Sequence, residues 1–93
     1  MQERIVEIII EETNAVLEEH VSDMNKDTAL FGKLGLLDSM GLVSMIVAVE
    51  QDVEDEFDKN VTIADARAMS QKHSPFATVG SLAVYIEGLI KEA

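Results

Sequence analysis

Apolar residues recur at three-to-four-residue spacing through most of this chain, and a single proline and five glycines are all that punctuate it. That period belongs to amphipathic helices; the alternation of a half-buried strand is missing. The pattern predicts an all-α domain. From Gln2 to about His20, Val6, Ile9, Ile10, Val16 and Leu17 take the inside of a first helix, and Glu3, Glu7, Glu11, Glu18 and Glu19 the outside. From Val21 to Asp38 the period stops. Asn25, Asp27, Gly32 and Gly35 are turn formers there, yet Leu30, Phe31, Leu34, Leu36 and Leu37 are apolar. A loop of this kind is expected to be ordered, with its own side chains plugging the bundle.

A second helix is predicted from Asp38-Ser39 to about Phe57, with Asp38 as its N-cap. Thr62-Ile63-Ala64-Asp65 resembles a capping box and opens a short third helix to about Met69 or Gln71. Ser74-Pro75 breaks the chain. Thr78 then caps a last helix, Val79 to Lys91, with Val79, Leu82, Ala83, Ile86, Leu89 and Ile90 on its buried side. The expected architecture is a single domain over 1–93: a small four-helix bundle of three longer helices and one short one, with a long loop between the first two.

At 93 residues the chain has room for one small domain, and a self-contained metabolic enzyme is not expected. It has no cysteine, so disulfides, a thiolate nucleophile and a cysteine zinc site are excluded. The net charge of −11 opposes binding to nucleic acid or to an anionic membrane, and favours basic protein surfaces. The longest apolar stretch, Leu42 to Val49, is far shorter than the ~20 residues a spanning helix needs. Ile8-Ile9-Ile10 is too short for a signal-peptide core. A cytoplasmic monomer without membrane insertion is the expectation.

The segment Gly35-Leu36-Leu37-Asp38-Ser39-Met40 carries the most chemical information. It places a serine in the first turn of a helix, just after the cap and at the end of a long loop. Unpaired N–H groups and the helix dipole stabilise an anion there by about 0.3–1 kcal/mol, so a phosphate on Ser39 is electrostatically favoured. Ser39 is equally a good residue for a helix start, and on these grounds alone both readings stand.

Asp38-Ser39-Met40 resembles the Asp-Ser-Leu signature of acyl and peptidyl carrier proteins, whose typical form is Gly-x-Leu-Asp-Ser-Leu. Val43 supplies the branched apolar residue at the family's fourth position after the serine. Thr78-Val79, Leu82 and Tyr85-Ile86 are similar to the family's last helix, and Leu30-Phe31 to its loop. The resemblance runs through the whole chain in order. It implies that Ser39 carries 4′-phosphopantetheine, taken from coenzyme A by a phosphopantetheinyl transferase, with Asp38 and Met40 flanking the attachment. It implies an acyl or aminoacyl cargo held as a thioester on that arm, with no catalytic group in the carrier itself. Fatty-acid-synthesis carriers usually have acids at the second and fifth positions after the serine. Here these are Gly41 and Ser44, and Phe57 lies about one turn beyond the family's usual aromatic, which points to a specialised member. The other reading is an adaptor with the carrier fold that binds partners without being modified.

On the second helix Leu42, Ile46, Val49, Val53 and Phe57 form one stripe, read as the core face. Met40, Val43 and Val47 form another, continued by Glu50, Glu54 and Asp58. The resemblance makes this helix the partner-recognition element, so the second stripe is read as a docking face for acyl-loading and acyl-transferring enzymes with basic surfaces. The alternative is a solvated charged face. Six acids and no base lie from Glu50 to Asp58, a patch that speeds association with basic partners. Asp58 to Met69 begins like a calcium-binding loop but has Ile63 at its sixth position and Met69 at its twelfth. His20 and His73 lack metal-ligand spacing, Ser39 is not in a nucleophile elbow, and the methionines read as core filler.

Overall fold

The computed structural model describes residues 2–17, 23–31, 35–63 and 76–92, and of Ser39 the backbone alone. Among the described residues there are three helices and no strand: α1 (Gln2–Val16), α2 (Ser39–Phe57) and α3 (Val79–Glu92). α1 packs against both α2 and α3. The predicted short helix after Thr62-Ile63, like the break at Ser74-Pro75, lies on residues 64–75, outside the described residues. No described helix is long and apolar enough to cross a membrane.

α1 is shorter than its periodicity predicts. It ends at Val16, and the N–H of Leu17 makes a closing bond to the carbonyl of Thr13 (3.0 Å). The remainder of the predicted helix, residues 18–20, lies outside the described residues. Its buried face is also rotated from the expected one. Ile5, Ile8, Ile9 and Thr13 are buried, whereas Val6, Ile10, Val16 and Leu17 border the core. The spacing 5, 8, 9 and 13 is itself helical, and Thr13 fits inside because its hydroxyl donates to the carbonyl of Ile9 (2.7 Å).

α2 has the predicted length. Leu42, Ile46, Val49 and Val53 are buried, and Phe57 packs at the core's edge. Met45 joins them inside. The helix stops at Asp58, a left-handed residue (φ 55°, ψ 38°) whose N–H bonds the carbonyl of Glu54 (3.0 Å). Aspartate is one of the few L residues that adopts this conformation at modest cost. The chain beyond is tied back onto the core by Val61 and Ile63, both buried.

α3 opens with a reciprocal cap. Thr78 N–H donates to Ser81 Oγ, and Ser81 N–H to Thr78 Oγ1, each at 3.1 Å. The next donors go to the long loop: Val79 N–H to the carbonyl of Thr28 (3.0 Å) and Gly80 N–H to that of Lys26 (2.7 Å). Gly80 permits this approach, since a Cβ there would meet the Lys26 carbonyl oxygen at 2.9 Å. Leu30 N–H bonds the carbonyl of Ala77 (2.8 Å), and Leu30 and Leu37 are buried, so these two residues of the described part of the loop fill the core as expected. Leu34 lies outside the described residues.

Candidate functional site at the start of the second helix

The approach to Ser39 is built by backbone contacts within the loop. Leu36 N–H bonds the carbonyl of Ala29 (3.2 Å) and Leu37 N–H that of Leu30 (2.9 Å). These bonds bring Gly35 against the backbone at Phe31. A Cβ on Gly35 would lie 2.5 Å from Phe31 Cα, which no side chain tolerates. Buried Leu37 then fixes the chain one residue before the cap.

Asp38 is the N-cap, as its sequence position predicts. Its backbone is extended (φ −84°, ψ −177°), its Oδ1 accepts from Gly41 N–H at 2.7 Å, and its carbonyl accepts from Leu42 N–H at 2.8 Å. Ser39 is the first residue of the helix. Gly41 is half-buried where the end of α1 approaches. A Cβ there would meet Asp38 Oδ1 at 3.1 Å and Val16 Cγ1 at 3.4 Å. A carboxylate side chain at position 41 would crowd and repel the capping carboxylate of Asp38.

The second stripe of α2 begins beside this cap. Met40 is 81% exposed, Val43 48% and Val47 55%. These large apolar side chains recur at helical spacing with water on them. Leu36, two residues before the cap, is exposed as well, unlike the buried position expected of the loop's apolar residues.

The acidic continuation of the stripe is less uniform than the sequence suggests. Glu54 and Asp58 are exposed. Glu50 is half-buried, and its Oε2 accepts the backbone N–H of Ile63 at 2.5 Å. It lies four residues after buried Ile46 and three before buried Val53, at the core's edge. Glu50 therefore ties α2 to the chain that follows it, a role that sequence alone gives no sign of.

The remaining acids of α2 face α1. Arg4 Nε donates to both carboxylate oxygens of Glu56 (2.8 and 2.7 Å), joining the first turn of α1 to the last turn of α2. Its other end meets Glu7 at 3.1 Å. Beside this bridge lies a cleft of about 390 Å³ lined by Arg4, Glu11, Glu12, Asp52, Asp55 and Glu56. Burial, and then the facing carboxylate of Asp52, raises Glu12 above the usual carboxylate range. Among the described residues no group of three or more side chains is arranged to hold a metal ion. Of Glu50, Asp52, Glu54, Asp55, Glu56 and Asp58, then, some are committed inside the fold and some face outward.

Comparison with known proteins gives no match: no protein-family model, no curated protein and no solved structure aligns with the chain.

Proposed function

We propose that this protein is a specialised acyl carrier, a four-helix bundle bearing 4′-phosphopantetheine on Ser39. The observation that carries the reading is the start of α2. A serine occupies the first position of a capped helix, after a segment hydrogen-bonded to Ala29 and Leu30, with exposed apolar residues following it. The surroundings fit such an attachment. Gly41 has no side chain, Met40 projects into water, and the Asp38 carboxylate is occupied by the Gly41 N–H. A phosphodiester on Ser39 would sit at the positive end of the helix dipole, which favours an anion. When bound, the group supplies the thiol that this cysteine-free chain lacks, for an acyl or aminoacyl thioester. Residues of the chain hold and present; the chemistry belongs to partner enzymes, among them a phosphopantetheinyl transferase and acyl-loading and acyl-transferring enzymes. The proposal includes a cytoplasmic monomer; the net charge of −11 opposes binding to nucleic acid or to an anionic membrane, and no described helix is long and apolar enough to cross a membrane.

A second reading rests on the same exposed apolar stripe, which does not itself require modification: an adaptor that binds partners through α2. Intact-mass measurement separates the two. The chain is incubated with coenzyme A and a broad-specificity phosphopantetheinyl transferase. A gain of one phosphopantetheine unit, absent in Ser39→Ala, is the expected result. An unchanged mass leaves the adaptor.

A further inference from the structure

The chain has no cysteine, so its five methionines hold all of its sulfur. Met1 and Met69 lie outside the described residues; the surroundings of the other three differ sharply. Met45 is fully buried in the core, and Met24 is half-buried against it. Met40 is 81% exposed, more than any other large apolar side chain among the described residues. It stands one residue after Ser39, in the first turn of α2. Methionine is an apolar residue that a peroxide makes polar. The valines that follow it on the exposed side, Val43 and Val47, offer a peroxide no sulfur.

We propose that Met40 is a reversible oxidation site, at which hydrogen peroxide forms the sulfoxide and thereby slows transfer of phosphopantetheine to Ser39. The site itself stands on exposure; its effect on transfer rests on the carrier reading. A lone pair of the thioether sulfur attacks one peroxide oxygen. An S–O bond forms as the O–O bond breaks, and the proton of the transferred oxygen goes to the departing hydroxide, which leaves as water. The sulfur is oxidised by two electrons and the peroxide is reduced by them. The oxidant must reach the sulfur, so the exposed thioether of Met40 reacts while Met45 is shielded by the core around it. Met40 contributes nothing to that core, and its oxidation leaves the fold in place. The sulfoxide sets a strong hydrogen-bond acceptor beside the serine. A transferase that closes over Ser39 must cover it, and covering a polar group without a partner is costly. Methionine sulfoxide reductases remove the oxygen, so the change is reversible. A chain without a thiol of its own thus responds to oxidant at the point where its borrowed thiol is attached.

The test uses the full, unmodified chain and hydrogen peroxide, with helix circular dichroism to confirm that the treated protein stays folded. Peptide mass spectrometry follows the gain of one oxygen at each methionine. Met40 is expected to oxidise at least about tenfold faster than Met45, and faster than Met24. A rate at Met24 or Met45 equal to that at Met40 overturns the site. Catalase then removes the peroxide before coenzyme A and a broad-specificity phosphopantetheinyl transferase are added. Oxidation is expected to lower kcat/KM for the transfer about fivefold or more. Treatment with the methionine sulfoxide reductases of both epimer specificities restores it. In Met40→Leu the rates before and after peroxide are expected to be equal to each other, whatever their common value. Undiminished transfer to the oxidised wild type overturns the effect, as does a Met40→Leu chain that peroxide slows as much as the wild type. A wild-type chain that takes no phosphopantetheine even before peroxide overturns the carrier reading and with it the effect on transfer. The oxidation rates decide the site in either case.

Discussion

Replacing Glu50 with alanine separates a fold-holding role from a docking role more cleanly than any other single change. The Glu50 carboxylate accepts the backbone N–H of Ile63, a fully buried residue. A hydrogen bond to a charged group contributes about 1.5–3 kcal/mol, and removing the acceptor leaves the Ile63 N–H with its desolvation cost. Alanine's better helix propensity returns a few tenths of a kcal/mol. The expected net loss is about 2 kcal/mol, which lowers Tm by roughly 8–16 °C in a domain of this size. Glu50→Gln keeps an acceptor oxygen but not the charge, and its expected cost is about 1 kcal/mol. Urea unfolding followed by helix circular dichroism measures both. If Glu50→Ala stays within about 0.5 kcal/mol of the wild type, the usual range for exposed positions, the carboxylate holds nothing and belongs to the docking face instead.

Ser39→Ala is expected to keep the helix signal while losing modification, because Asp38 and not Ser39 supplies the cap bond to Gly41; loss of helix would make the serine structural. Glu12→Gln is expected to stabilise the protein at pH 7. Folding raises the Glu12 pKa, first by burial and then by Asp52, so the folded state holds a proton that the unfolded state releases. Wild-type stability from this group falls as pH rises from the unfolded value of about 4.5 through the folded one. The glutamine variant removes that slope, as urea midpoints across the window will show, and an unchanged slope would refute the placement. Gly35→Ala forces a Cβ into the Phe31 backbone and is expected to cost about 1–3 kcal/mol; wild-type thermal stability in that variant would contradict the close approach.

What could be read from the sequence was whatever a single helix decides by itself. The cap at Asp38, the stripe from Leu42 to Val53 and the extension of α2 to Phe57 follow from spacing along one element. So does the exposure of Met40, Val43 and Val47 on the opposite side. The sequence was misleading where a residue's partner lies on another segment. Glu50 looks like its acidic neighbours until Ile63 is beside it. Asp52 and Glu56 lie in the same run, yet one faces Glu12 and the other Arg4 across α1. The rotation of the α1 face had a local cause, since five apolar residues lie within six positions, Ile5, Val6, Ile8, Ile9 and Ile10, and more than one face drawn from them satisfies helical spacing. Packing of α1 against α2 and α3 selects among them.

The hydrogen bonds between the loop and the beginning of α3 also limit how the chain can be shortened. Ala77 holds Leu30, Leu30 holds Leu37, and Leu37 immediately precedes the cap at Asp38. The partners in the first of these links are separated by about half the chain, so closing it is a long-range event in folding. Removing the last helix would unfasten the segment that delivers Ser39, although the two are far apart in sequence. A C-terminal truncation or fusion that disturbs residues 76–80 therefore acts at the serine, while the same alteration beyond Lys91 does not.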